Sequence, residues 1–200
     1  MTLSEIFSEE SKIKPVEFNS GFDRTADIYA NIFKAQQMMS NISHTIKSPF
    51  EFNQDSLIDF LKLKEGFRPE VYTDSGGVKT IGYGFTDPEL IERGYITEEE
   101  ATEILKKEIK EREKKLESQI PTWFLLNNNQ KSALISYGYN VGVENWEKYQ
   151  PKLFQALASG DFANAAQYMD IVKDRKGNIL PGLVTRRKEE QEMFNKECKK

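Results

Sequence analysis

The chain has 200 residues, 38% of them hydrophobic and 30% charged, with a net charge of −4. Such a composition suits one full domain plus an appendage, or two small lobes on a shared core, and fits a soluble globular protein rather than a disordered or membrane one. The acidic balance argues against a nucleic-acid binder, which needs clustered Lys and Arg to neutralise phosphates.

The first residues carry Glu5, Glu9 and Glu10 and no basic stretch ahead of an apolar run, so no secretory signal peptide is expected. Asn19-Ser20-Gly21 reads as a loop after Pro15. A helix capped by Asp23 or Thr25 is expected through Ile28, Ile32, Phe33, Met38 and Met39 to about residue 46, where Ser48-Pro49 breaks it. Its apolar stripe needs a cover, on the domain that follows or, as the favoured reading, on another protein. Residues 1–50 are therefore set apart as an N-terminal helical extension with a docking or regulatory role, ahead of a main domain over 51–200. His44 stands apart from any Cys or acidic cluster, so no metal is expected there.

The next helix runs from Gln54 to about Lys64, with Gly66 as its stop. Residues 67–86 change character. Val71-Tyr72, Thr80-Ile81 and Tyr83–Phe85 are β-prone, and Asp74-Ser75-Gly76-Gly77 is strong turn chemistry, which predicts a small antiparallel sheet. Thr97 followed by Glu98, Glu99 and Glu100 reads as a capping box opening a long helix to about Gln119, stopped by Pro121. Shorter helices are expected over 129–140, 152–159, 161–170 and 185–197. The longest uncharged apolar runs, such as Phe124 to Leu126, are too short to span a bilayer, so no stable membrane insertion is expected. Cys198 is the only cysteine, so the fold has to stand without an internal disulfide, as suits a reducing cytoplasm. The order of elements predicts an α+β fold, mostly helical, with a small antiparallel sheet lobe and a cleft between lobes.

Within that order, Glu65 to Thr80 carries chemistry. Hydrolysing a glycosidic bond takes one protonated carboxylic acid and one ionised carboxylate on either side of the sugar. Glu65 lies at a helix end, where no cap needs it and the dipole slightly opposes its charge; Asp74 lies at the turn of the sheet. Thr80 falls on the following strand, where its hydroxyl is placed to order a water.

These residues resemble the bacteriophage lysozyme (endolysin) family, whose motif is Glu, eight residues, Asp or Cys, five residues, Thr. Glu65, Asp74 and Thr80 fall on that spacing, followed by Ile81-Gly82-Tyr83-Gly84. Further blocks are Ser136 to Gly142, Ala158 to Ala166, and Leu180-Pro181-Gly182 to Arg186-Arg187, with Glu190 and Phe194 beyond. The likeness covers roughly residues 55 to 197. It implies a lysozyme-like fold and a muramidase that cuts the β-1,4 bond between N-acetylmuramic acid and N-acetylglucosamine in peptidoglycan glycan strands, without cofactor or metal. Glu65 would protonate the leaving oxygen, Asp74 would stabilise the developing positive charge and help hold the attacking water, and Thr80 would position that water. Inversion at the anomeric carbon, with the carboxyl groups in the roughly 6.5–9.5 Å class, is the matching stereochemistry.

Arg186 matches a family arginine that pairs with the catalytic Glu, and Asn140 and Gly84 fall in supporting positions. Asn140 reads as either a helix-end cap or a sugar contact, and Arg187 and Lys188 read as a solvated helix start. Trp123, Trp146, Phe154 and Tyr168 read as core rather than as sugar platforms. After Gly84 the family usually has His; Phe85 stands there instead, so any His–carboxylate pair is lost. The resemblance places the enzyme in the cytoplasm of an infected bacterium before release to the wall, or on a phage particle. The alternative is a virion- or effector-associated protein that keeps the fold for wall binding alone; the intact Glu65, Asp74 and Thr80 argue against it.

Overall fold

The computed structural model describes residues 54–74, 76–173 and 177–196. The expected helix before residue 50, with the extension it defines, lies outside the described residues. So do His44 and Cys198.

Helix α1 (Gln54–Glu65) buries Leu57, Ile58 and Leu61 on one face and leaves Leu63 exposed on the other. Gly66 takes a left-handed φ of 70° and donates its N–H to Lys62 O at 3.0 Å, so the chain turns sharply just after Glu65. Strands β1 (Arg68–Thr73) and β2 (Lys79–Gly82) form a two-stranded antiparallel sheet. Tyr72 pairs with Thr80 and Thr73 with Lys79 beside the turn, Arg68 pairs with Gly82 at the far end, and the register shifts between them.

The β-prone Tyr83–Phe85 does not extend the sheet as a further strand. It folds back in a tight reversal, with Phe85 N–H on Ile81 O at 2.8 Å and Ile81 N–H on Phe85 O at 2.9 Å. Gly82 and Gly84 supply the positive φ angles, 66° and 99°, that this reversal requires. A Cβ on Gly82 would meet two atoms of the Phe85 ring at 2.8 Å, so the buried ring fills the space the glycine leaves. Apolar packing thus occupies the position where the family usually carries His.

Helix α2 (Pro88–Arg93) was not foreseen. Asp87 caps it through bonds from the N–H groups of Glu89 and Leu90, Pro88 occupies its first position, and Gly94 closes it in a left-handed conformation. Helix α3 (Glu98–Gln119) is capped by Thr97, whose side chain accepts from Glu100 N–H at 3.2 Å. The reciprocal half of the expected capping box gives way to a different pairing, because Arg93 Nη1 lies 2.7 Å from the Glu100 carboxylate. A complete box caps α4 (Asn128–Val141) instead, between Asn127 and Gln130.

Helix α3 buries Ala101, Leu105, Ile109 and Leu116, and α4 buries every residue from Ser132 to Gly138. A short 3-10 turn, Trp123–Leu125, joins them. Helices α5 (Trp146–Tyr149), α6 (Pro151–Ala158), α7 (Phe162–Ala165) and α8 (Pro181–Phe194) complete the helical part. The helix expected over 161–170 is α7 followed by a 3-10 turn, Ala166–Tyr168. Helix α8 starts at Pro181, ahead of the expected Thr185, because proline is favoured in a first turn that needs no N–H.

The α+β arrangement is the expected one, mostly helical with a small antiparallel sheet: eight α-helices and two strands among the described residues. The sheet and α2 make up the small lobe, and α8 packs along α4 in the helical lobe. Helices α1 and α3 both reach α4. Trp123, Trp146 and Phe154 are buried and Tyr168 packs against the same core, as their core reading requires. No helix among the described residues is long and apolar enough to cross a membrane.

Candidate active site

Glu65 is the last residue of α1, and its side chain is 20% exposed. Its Oε1 accepts from Arg186 Nη1 at 2.7 Å, so the pairing expected of Arg186 is present. Arg186 reaches it from the first half of α8 and is itself buried. Its Nε bonds Glu190 Oε1 at 3.0 Å and its Nη2 donates to Ser136 O at 3.2 Å. Each edge of the guanidinium therefore has a partner, and the head cannot swing away from Glu65 without breaking buried bonds.

Behind this pair lies a charged cluster. The Glu190 carboxylate is completely buried. Ser136 Oγ donates to its Oε1 at 2.6 Å, and Arg187 Nε lies 3.0 Å from its Oε2. Burial pushes the Glu190 carboxyl up from its ordinary range, against the opposing pull of Arg187, and burial lowers Arg187 against the pull of Glu190. Arg187 also donates through Nη2 to Asn140 Oδ1 at 3.1 Å and lies 4.7 Å from the centre of the Tyr137 ring. Arg187 is thus buried machinery of the fold, which corrects its reading as a solvated helix start; only Lys188 stays exposed. Asn140 lies inside the last turn of α4 and does not cap it. Gly142 does, with its N–H on Gly138 O, while Asn140 anchors Arg187.

A second ion pair runs alongside the first, from Lys64 to Glu189. Successive residues of α1 are therefore clamped to α8. The helical lobe also holds the sheet lobe through Tyr139, whose hydroxyl donates to Tyr83 O at 3.2 Å. Burial, Glu108 and Glu65 all push the Tyr139 phenol up, which keeps it a donor. The Arg112 guanidinium lies 4.3 Å from its ring centre and pairs with Glu108 at 3.1 Å. Burial and the hydrogen bond to Glu98 push the Tyr83 phenol up to about 12.

Asp74 is exposed at the hairpin turn, where its Oδ1 accepts from Gly76 N–H at 2.9 Å and Val78 N–H at 2.7 Å. These bonds hold the carboxylate in one orientation. Thr80, on β2, is buried and donates to Val78 O at 3.1 Å, leaving oxygen lone pairs able to accept from a water. Gly84 stands in the reversal just beyond, next to the Tyr83 carbonyl that Tyr139 bonds.

The structure therefore joins Arg186 directly to Glu65 and sets Asp74 and Thr80 on one hairpin. Roles for Glu190, Ser136, Arg187 and Tyr139 were missed. The one available signal was the opposite charge of Arg186 and Glu190 four residues apart, which places both on one face of a helix. Among the described residues no group of three His, Cys, Asp or Glu is placed to hold a metal ion.

The model of the phage lysozyme family matches residues 62–190. The endolysin of Bacillus phage PZA is 29% identical over 140 residues, which cover 69% of this chain and 53% of that protein. The pre-baseplate central spike protein Gp5 of Enterobacteria phage T4 is 27% identical over 134 residues, covering 55% of this chain and 23% of the other. The chain spans about half the length of the Bacillus phage endolysins it matches. Among solved structures, the muramidase domain of SpmX from Asticaccaulis excentricus superposes with a TM-score of 0.62 at 25% identity, over 74% of this chain and 99% of that one. The matched span takes in Glu65, the hairpin with Asp74 and Thr80, and the α8 arginines, and the chain belongs to the phage lysozyme family.

Proposed function

We propose that the protein is a muramidase that hydrolyses the β-1,4 bond between N-acetylmuramic acid and N-acetylglucosamine in peptidoglycan. The observation that carries this reading is a part-exposed carboxyl, Glu65, fixed by a buried arginine at the foot of a hairpin that bears Asp74 and Thr80. Glu65 gives its proton to the glycosidic oxygen as that bond breaks. Asp74 stabilises the oxocarbenium-like charge left on the sugar and takes a proton from the attacking water, which Thr80 orients. The relatives include endolysins and a phage spike protein, so the activity would serve phage lysis or infection.

Digestion of purified peptidoglycan, followed by mass spectrometry of the products, tests the bond. New reducing ends on N-acetylmuramic acid, with the anomer inverted by NMR, are expected. Reducing ends on N-acetylglucosamine, release of peptides alone, or no new ends would overturn it.

The role of Asp74 has its own test. Asp74→Asn keeps an oxygen for the Gly76 and Val78 N–H groups but removes the charge. Its unfolding temperature should stay close to that of the wild type, while wall clearing falls by about 10-fold or more, since the loss is electrostatic. Equal activity in the two proteins would remove Asp74 from the mechanism.

A further inference from the structure

Arg186 has two effects on Glu65 that conflict. It fixes the carboxylate at 2.7 Å, and a guanidinium at that distance favours the ionised form of a carboxyl. A general acid works only while it carries its proton. An uncompensated arginine would hold the acid in place and disarm it. The compensation is built into the next turn of α8. Glu190 Oε1 lies 3.0 Å from Arg186 Nε and accepts from Ser136 Oγ at 2.6 Å. Glu190 is completely buried, so water does little to screen its charge from Arg186.

We infer that Glu190 is a positioning residue of the site: its carboxylate offsets the charge of Arg186, so that Arg186 orients Glu65 without holding it ionised. The inference rests on Glu65 being the general acid. The neighbouring charges do not supply this balance. On α1 and α8, Lys64 and Glu189 neutralise each other. Arg112 and Glu108 of α3 do the same beside Tyr139 of α4. Tyr137 of α4 lies under Arg187, and Asp74 of the hairpin is engaged with its own turn. Arg187 adds a second positive charge, held on Glu190 Oε2. With Glu65 protonated, the two arginines and Glu190 together carry one net positive charge; with Glu190 uncharged they would carry two. The second arrangement resists the proton on Glu65 far more strongly.

The test is a pH titration of the full chain, read in two ways. The Glu65 carboxyl carbon is followed by NMR, assigned by its loss in Glu65→Gln, and wall clearing is measured across the same pH range. Glu190→Gln should move both the Glu65 transition and the alkaline limb of activity to lower pH by about one unit. On that limb this is roughly a tenfold loss of activity. Ser136→Ala removes a donor whose positive end lies against Glu190 Oε1, so the carboxylate opposes Arg186 more strongly and both should move the opposite way, to higher pH, by less. Glu192→Gln removes a carboxylate from the exposed part of the same helix and should move neither. No movement in Glu190→Gln and Ser136→Ala, or an equal movement in Glu192→Gln, overturns the inference. Should Glu190→Gln fail to fold, Ser136→Ala decides alone. A transition that moves in a protein with no wall activity refutes the proposed hydrolysis and supports the charge coupling, so the two failures are told apart.

Discussion

Glu65→Gln should lower peptidoglycan hydrolysis by ~10² or more while leaving the fold almost unchanged. Glutamine has the shape of glutamate, and its amide oxygen can still accept from Arg186 Nη1, so the contact that fixes the side chain survives. What the change removes is the proton that Glu65, in its proposed role, delivers to the leaving oxygen. A hundredfold loss corresponds to about 2.7 kcal/mol of barrier, well within what general acid catalysis contributes. Arg186 keeps Glu190 as a charged partner, so no buried cation is stranded by the change. Turbidity clearing of wall suspensions and a thermal melt are sufficient measurements. Activity within a few-fold of the wild type would remove Glu65 as the acid, and a large fall in melting temperature would leave the activity loss uninterpretable as chemistry.

Arg186→Met should be the most damaging single change at the site for stability. It removes the bond to Glu65, the bond to Glu190 and the donor to the Ser136 carbonyl together. Methionine fills much of the volume, so the loss is polar. Glu190 remains completely buried with one arginine where it had two, and removing one partner of a buried pair costs about 3–5 kcal/mol. The exposed Lys188–Glu192 pair on the same helix is the contrast, since pairs of that kind contribute about 0–1 kcal/mol. Chemical denaturation of Arg186→Met and Lys188→Met should separate them plainly. A cost below about 1 kcal/mol for Arg186→Met would mean that the buried charges merely tolerate one another and do not brace the lobe.

The parts of the fold legible in the sequence are those whose signals are local. Gly66 announced the end of α1 and Asp74 to Gly77 announced the hairpin, because left-handed glycine and turn carboxylates act within a few residues. Spacing singled out Glu65, Asp74 and Thr80 as the candidate trio, whose roles are the proposal put to test above. Most of the features that were missed depend on partners brought up by other elements of the fold. Sequence near Arg187 does not say that it is buried; that follows from Tyr137 and Asn140 of α4 meeting it. Glu100 left its own cap because Arg93, brought close by α2, competes for its carboxylate. Tyr83–Phe85 has strand-like composition, but Gly82 and Gly84 bend it back on itself, so backbone torsion prevails over side-chain propensity. Helix α2 is likewise a local signal misread: Asp87-Pro88 reads as a turn and also as a cap followed by a first-turn proline.

Gly66 is the joint between α1 and the hairpin. Nothing lies within 4 Å of the place a Cβ would occupy there, so the residue is not glycine for want of room. The demand comes from its φ of 70°. Glu65, the proposed acid, stands immediately before this residue, and the arm bearing Asp74 and Thr80 begins shortly after it. The torsion angles at this one residue thus help set the bearing of Glu65 towards the hairpin that carries Asp74 and Thr80, as a preset elbow sets the reach of a tool. A side chain at 66 would press on no neighbour, yet it would favour another angle at that elbow. The aim of the site would change while the packing around it stayed the same.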